Sequence, residues 1–311
     1  MCNKGTVPSV VWVAIAVAVL TALTFGEGAA GDGAAQRPPA FSVTVVGEGP
    51  PMILIPGLVS SGEVWDSAIA RYRQTRRLHV LTLAGFAGRP PIEPPFLATV
   101  RDEIVRYIRD QGLDRPVLVG HSLGGFLAFW VAATAPEAAG AVIAVDGVPF
   151  LPALLDPAAT AETAATGAEQ LRRLYATMTP EQHALQSRIA LAAMITDPEN
   201  VELAVGWALT SDPAAAGAAI AELMTTDLRP LLPAITAPVL LVAAAQSAGD
   251  DAARERLRER YEGQVAGVPA HRVVLAPKAR HFVMLDDPGF LYAEIDRFLA
   301  VPASPAGTEE R

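Results

Sequence analysis

The sequence has a single cysteine, Cys2, and few basic residues. One cysteine cannot form an intrachain disulfide or build the cysteine clusters that hold structural zinc. The 24 lysines and arginines stand against 33 aspartates and glutamates, which gives a net charge of −9. Such a chain lacks the basic surface with which proteins bind nucleic-acid phosphates. We therefore expect no metal ion, no cofactor and no nucleic-acid partner.

The N-terminus carries the pattern of an export signal. Lys4 precedes an apolar run over residues 10–25, and small residues follow that run. This layout is typical of a secretory signal peptide, which we predict over residues 1–30. An uncleaved anchor is the alternative, because a run of about sixteen apolar residues approaches the length that spans a bilayer. In both cases the protein is expected to be periplasmic or extracellular, with membrane contact only through this segment if it is retained.

From Phe41 onward, short β-type runs alternate with longer helical stretches. This alternation predicts an α/β fold, with a mostly parallel central sheet and helices on both of its faces. Several runs are continuously apolar, as in strands that are buried on both sides. The predicted strands are Phe41–Val46, Met52–Ile55, His79–Leu83, Pro116–Gly120, Ala141–Val145, Pro238–Ala243 and Arg272–Leu275.

The β-type pattern is interrupted for about ninety residues, and helix-start signals replace it. Thr179-Pro180, Asp197-Pro198 and Asp212-Pro213 each join an N-cap acceptor to a proline suited to the first helical position. We predict a helical cap over residues 151–235, inserted between two strands of a core formed by residues 37–150 and 236–300. Residues 301–311 are predicted to be a flexible tail.

Gly120-His121-Ser122-Leu123-Gly124 matches the pattern Gly-x-Ser-x-Gly. It follows a predicted strand and precedes an apolar helix-like run, so Ser122 would lie at a sharp strand-to-helix turn. The sequence here resembles the α/β-hydrolase family, over nearly the whole of the predicted mature chain. The resemblance implies an α/β-hydrolase fold with Ser122 as nucleophile. His121 occupies the variable position of the motif, and we expect it to pack rather than to catalyse.

The resemblance also implies an oxyanion hole of two backbone N–H groups. Leu123, directly after the nucleophile, would supply one of them. Leu58 would supply the other, because Ile55-Pro56-Gly57-Leu58 stands where the family commonly has His-Gly-x. Pro56 departs from that pattern but leaves the Leu58 N–H in place.

Of the five histidines, only His281 follows the last predicted strand in a loop that leads to a helix. This position satisfies the family's chain order of serine, acid and histidine, so we predict His281 as the general base.

The acid has more than one candidate. The loop after the strand that follows the cap commonly carries it in this family, but here that loop reads Ala-Ala-Ala-Gln-Ser. Asp250 and Asp251 come a few residues later, and Asp250 would also suit a helix N-cap. Asp146 ends the strand before the cap, a position that carries the acid in some hydrolases of this fold. We prefer Asp146, with Asp250 or Asp251, or no acid at all, as the alternatives.

These residues predict a serine hydrolase that forms an acyl-enzyme, with a small-molecule, hydrophobic carboxylic ester as the expected substrate. Amide or peptide, thioester and carbon–carbon bond hydrolysis are alternatives on the same residues. A non-catalytic binding protein that keeps the fold is a further alternative.

Overall fold

The computed structural model describes residues 38–300, which form one seven-stranded sheet with helices on both sides. The predicted signal segment and the predicted tail lie outside the described residues. The strands are β1 (Phe41–Val46), β2 (Pro51–Ile55), β3 (Arg77–Leu83), β4 (Val117–His121), β5 (Ala141–Val145), β6 (Val239–Ala244) and β7 (His271–Ala276). All seven predicted strands are present, with ends that differ by at most two residues.

The strands lie in the order β1-β3-β2-β4-β5-β6-β7. Only β1 pairs antiparallel to its neighbour, and every other pair is parallel. The carboxyl ends of β2, β4, β5, β6 and β7 therefore meet at one edge of the sheet, which is where open α/β sheets bind their ligands. The predicted α/β-hydrolase fold is confirmed.

Both faces of the sheet are covered by apolar side chains. Every residue of β4 and β5 is buried. In β2, Ile53 and Ile55 belong to one apolar cluster, whereas Met52 and Leu54 belong to the other. This division follows from the alternation of side chains along a strand. It explains why these strands are continuously apolar in sequence.

The helices follow the strands in the order expected for this fold. They are α1 (Asp66–Tyr72), α2 (Phe96–Asp110), α3 (Leu123–Thr134), α4 (Leu151–Leu155), α5 (Ala161–Thr177), α6 (Pro180–Met194), α7 (Pro198–Leu209), α8 (Pro213–Thr225), α9 (Asp251–Val265), α10 (Val283–Asp286) and α11 (Pro288–Ala300). Short 3-10 turns occur at Gly62–Trp65, Pro136–Ala138 and Arg229–Ala234. Within residues 38–300, no helix has the length and apolarity needed to cross a bilayer.

Helices α4 to α8 lie between β5 and β6, in the segment predicted as the cap, and are called the cap below. Three of them begin where the sequence predicts, because the Thr179, Asp197 and Asp212 side chains each accept a backbone N–H of the first turn. Helix α5 packs on α8, and α6 packs on α7. The α5–α8 pair joins one apolar cluster of the core, and the α6–α7 pair joins the other.

Polar contacts fix the α8 side of the cap to the core. Both carboxylate oxygens of Glu222, in α8, accept backbone N–H groups of Phe96 and Leu97 at 2.7 Å. Those amides begin α2, whose N-cap residue, Pro95, offers no side-chain acceptor. The Asp212 amide also donates to the Gly85 carbonyl at 2.7 Å. The cap is therefore attached to the core at points far from its chain connections.

Candidate active site

Ser122 lies at the apex of the turn between β4 and α3, as its motif predicts. Its backbone has φ 52° and ψ −117°, a conformation that residues with a side chain rarely adopt. The Ser122 amide donates to the Val145 carbonyl at 2.9 Å, and its carbonyl accepts the Phe126 amide at 3.0 Å. The strained turn is thus held by β5 on one side and by α3 on the other.

The glycines of the motif allow this turn to pack closely. A Cβ atom at Gly120 would lie 2.1 Å from the Gly124 carbonyl oxygen, and one at Gly124 would lie 2.2 Å from the Ile55 carbonyl oxygen. Gly147 was not singled out from the sequence, but a Cβ atom there would lie 2.4 Å from the Ser122 carbonyl oxygen. All three positions require the absence of a side chain.

His281 and Asp146 lie together at the carboxyl edge of the sheet. Nδ1 of His281 is 2.6 Å from Oδ2 of Asp146, and their side chains are 15% and 9% exposed. Asp146 follows β5 directly and has a positive φ of 47°, which directs the chain sharply away from the strand. With Nδ1 bonded to the carboxylate, Nε2 of His281 is left for another partner.

The Asp146 carboxylate is held by two further donors. Its Oδ1 accepts the Tyr261 hydroxyl at 2.6 Å and the Ala244 amide at 2.9 Å. Burial alone raises the pKa of Asp146, but the bonds from His281, Tyr261 and Ala244 outweigh burial and lower the pKa below its ordinary value. Asp146 is therefore a carboxylate at neutral pH.

His121 connects the nucleophile's strand to the loop of His281. Its Nε2 donates to the His281 carbonyl at 3.1 Å, and its ring lies 4.6 Å from the His281 ring and 4.5 Å from the Phe282 ring. Burial, together with the nearby His281, lowers the pKa of His121 well below its ordinary value. His121 is therefore a neutral packing residue. Because His121 directly precedes Ser122, its contacts bring the His281 loop close to the nucleophile's turn.

The loop after β2 also approaches Ser122. A Cβ atom at Gly57 would lie 3.3 Å from the Ser122 Cβ and 2.8 Å from Nδ1 of His121. Leu58 comes next, and its carbonyl accepts the Ser60 hydroxyl at 3.2 Å. Val59 has a positive φ of 50°. Leu123 is the first residue of α3, where helical N–H groups have no acceptor within the helix.

These features, taken with the fold, point to a known class of enzymes. A model of the alpha/beta hydrolase family matches residues 52–295. The chain belongs to this family.

Similar proteins agree with this membership. The chain is 27% identical over 195 residues to the pimeloyl-[acyl-carrier protein] methyl ester esterase of Vibrio vulnificus. The matched region covers 62% of this chain and 74% of the Vibrio protein. The chain is 26% identical over 255 residues to the protein of the same name from Nitrosomonas europaea, covering 79% and 94%. The fold matches a thermophilic esterase from Thermogutta terrifontis with a TM-score of 0.65 at 20% identity, over 83% of this chain and 92% of that one. The protein is an esterase-like hydrolase.

The other acid candidates of this hydrolase lie in different surroundings. The Asp250 side chain accepts the Ala253 amide at 2.7 Å and is the N-cap of α9, which is the role that its place before a helix predicts. The Asp251 side chain is 99% exposed and pairs with Arg254. Of the candidate acids, Asp146 is the one that the structure brings to His281.

Tyr261 is a residue of this site that sequence reasoning missed. It lies in α9, within a run of charged residues that resembles a solvated helix face. Tyr261 is nevertheless only 5% exposed, and burial and the neighbouring Asp146 raise its pKa well above the ordinary value. An aromatic residue among alternating charges was the available signal, because it indicates which side of the helix faces inward.

The residues that the structure describes contain no cluster of metal-ligating side chains. Among residues 38–300, no three histidine, cysteine, aspartate or glutamate side chains lie close enough to share one ion. The candidate site is instead built from a hydroxyl, an imidazole, a carboxylate and backbone N–H groups. These are the groups that acyl transfer requires.

Proposed function

We propose that this hydrolase cleaves carboxylic esters through a covalent acyl-enzyme, with Ser122 as nucleophile, His281 as base and Asp146 as acid. The observation that carries the proposal is the 2.6 Å bond between His281 and the buried Asp146, at the same sheet edge as a serine held in a strained turn. A histidine so oriented by a carboxylate can accept a proton from a hydroxyl through its other nitrogen.

The first half of the reaction forms the acyl-enzyme. The Ser122 hydroxyl oxygen attacks the ester carbonyl carbon while Nε2 of His281 takes the hydroxyl proton. The negative charge that develops on the carbonyl oxygen is stabilised by the N–H groups of Leu58 and Leu123. Collapse of the intermediate breaks the bond to the alcohol oxygen, which leaves with the proton from His281.

The second half returns the enzyme to its starting state. His281 takes a proton from water, and the resulting hydroxide oxygen attacks the acyl carbon. The bond to the Ser122 oxygen then breaks, Ser122 takes the proton back from His281, and the carboxylic acid product leaves. Asp146 stays ionised throughout and stabilises the imidazolium that forms twice in each cycle. Its lowered pKa supports this role.

Two observations support an ester with an apolar acyl group. The relatives from Vibrio and Nitrosomonas are named as methyl ester esterases, and the segment between β5 and β6 is rich in alanine and leucine. An apolar pocket selects acyl groups by size and contributes about 1 to 3 kcal/mol per methylene at most. We therefore propose p-nitrophenyl or methyl esters of short to medium fatty acids as the first substrates to test.

The test compares three variants on a panel of p-nitrophenyl esters of increasing chain length. We expect Ser122→Ala to abolish turnover and labelling by a fluorophosphonate probe. We expect Asp146→Asn to lower kcat by about a thousandfold or more. Asp250→Asn is the matched control, because it removes an equal charge from the N-cap of α9 and should leave kcat nearly unchanged. Wild-type protein that is folded but is not labelled at neutral pH would disprove the proposal, and loss of turnover in Asp250→Asn alone would disprove the choice of acid.

A further inference from the structure

The residues on both sides of His281 are bonded to the cap. The Arg280 guanidinium donates through Nη1 to the carbonyl oxygens of Ala192 at 2.8 Å and Ile195 at 3.1 Å. The Phe282 amide donates to the Met194 carbonyl at 3.3 Å. These three carbonyls belong to the end of α6 and the residue after it, so one short piece of the cap holds the chain just before and just after His281.

Asp286 strengthens the same junction. Its Oδ2 accepts the Arg280 amide at 2.8 Å and the Thr196 hydroxyl at 2.9 Å, and its Oδ1 accepts the Thr196 amide at 2.8 Å. Thr196 lies in the turn between α6 and α7. One carboxylate therefore joins the backbone beside His281 to the α6–α7 turn of the cap.

Gln246 completes the surroundings of Arg280. Its side-chain Oε1 accepts a hydrogen bond from Nε of Arg280 at 2.8 Å, and its backbone N–H donates to the Ala279 carbonyl at 3.1 Å. Gln246 lies in the loop after β6, where the family resemblance implied an acid that would bond to His281. In this hydrolase that loop contacts the residue before His281 instead.

Arg280 suits this position for two physical reasons. Helix α6 has no basic residue in its last turn, so its terminal carbonyls gain from a cation supplied by another part of the chain. The planar guanidinium also presents several donors in a fixed arrangement, which lets Arg280 bond to Gln246, Ala192 and Ile195 together. An ammonium group would not reach all three acceptors with the same geometry.

We propose that Arg280 is a positioning residue that fixes His281 against Asp146 by binding its loop to the α6–α7 turn of the cap. The inference rests on the proposed function, in which His281 is the base. It assigns the cap a part in orienting the base. Loosening the junction should lower kcat, since the imidazole would spend less time in the productive orientation, and should leave KM nearly unchanged.

The test uses the full chain and the p-nitrophenyl ester that the wild type hydrolyses best. We expect Arg280→Met to lower kcat by between about tenfold and about a hundredfold, with KM changed less than about twofold. Arg280→Lys should recover part of the loss. Arg188→Met is the matched control, because Arg188 is a cation within α6 that pairs with Glu202 of α7 and does not contact the His281 loop. It should retain wild-type kcat.

A spectroscopic measurement separates positioning from simple loss of stability. The proton in the His281–Asp146 bond should give a downfield proton NMR line in the wild type. Arg280→Met should broaden or shift this line, at a temperature where circular dichroism shows that the variant is folded. Gln246→Leu, which removes one acceptor of Arg280, should change kcat and the line in the same direction but by less, and it serves if Arg280→Met does not fold. Wild-type kcat and an unchanged line in these variants would overturn the inference. Absence of turnover in the wild type would instead refute the proposed function.

Discussion

Replacing Tyr261 by phenylalanine removes a single oxygen atom from the buried side of the site and keeps the aromatic ring. The Tyr261 hydroxyl donates to Asp146 at 2.6 Å, and the two side chains are almost fully buried. A hydrogen bond to a charged group contributes about 1.5 to 3 kcal/mol to stability. We expect the free energy of unfolding of Tyr261→Phe to fall by about 2 kcal/mol, which corresponds to about 3 to 4 °C in Tm for a protein of this size.

The loss should depend on pH in a defined direction. The pKa of Asp146 is lowered in the folded protein, despite burial, by its three donors. Such a carboxyl group contributes stability that is present above its unfolded pKa of about 3.9 and is lost as the pH falls through its folded pKa. The difference in stability between wild type and Tyr261→Phe should therefore be full at neutral pH and shrink in strong acid. Urea titrations at several pH values would measure it.

The effect on kcat distinguishes Tyr261 from a buried tyrosine that only stabilises the fold. Asp146 would keep the Ala244 amide as its other Oδ1 donor, so we expect Tyr261→Phe to lower kcat by about tenfold through poorer orientation of His281. Tyr72→Phe is the matched control, because the Tyr72 hydroxyl also donates to a carboxylate, Asp296, at 2.9 Å. It should reduce stability and leave kcat unchanged. Wild-type stability and kcat in Tyr261→Phe would refute the reasoning.

Three further predictions concern the fold around the site. Burial lowers the pKa of both His79 and His183. Each therefore contributes stability that is present above about pH 6.5 and is lost as the pH falls below it. Thermal melts should show Tm falling between about pH 7.5 and about pH 5.5, and a constant Tm would contradict this. Glu222→Gln should lower the free energy of unfolding by about 1 kcal/mol in urea titrations, since it weakens the only side-chain cap that we find on the first amides of α2 within residues 38–300. Gly124→Ala should abolish soluble folded protein in expression trials because its Cβ atom would lie 2.2 Å from a carbonyl oxygen, whereas Gly167→Ala, in open space within α5, should be stabilising by about 0.5 to 1 kcal/mol; equal yields would contradict the packing explanation.

The features that could be predicted from the sequence are those set by local physics. Continuous apolar runs identified the strands, because a strand buried on both faces has no polar side to alternate with. Thr179, Asp197 and Asp212 marked three helix starts, since an N-cap acts on amides two or three residues away. Ser122 was marked by its glycines, because the turn brings backbone atoms closer together than any side chain allows.

The contacts that sequence reasoning missed join distant parts of the chain. Tyr261 reaches Asp146 from a helix 115 residues away in sequence, and Arg280 reaches carbonyls of the cap 85 and 88 residues away. No local pattern encodes such pairs, because they depend on how α9 and the cap settle on the sheet. In both cases the chemistry of the residue was readable, but its partner was not.

The position of the acid connects these missed contacts. Since β5 and β6 are parallel neighbours, a carboxylate at the end of either strand lies near the loop that follows β7. With Asp146 directly after β5, the loop after β6 no longer has to bond to His281. Gln246 of that loop binds Arg280 instead, and Arg280 binds the end of α6. Because the acid follows β5, the loop after β6 is left to join the loop of the base to the cap. We therefore expect substitutions at the α6–α7 turn to lower kcat.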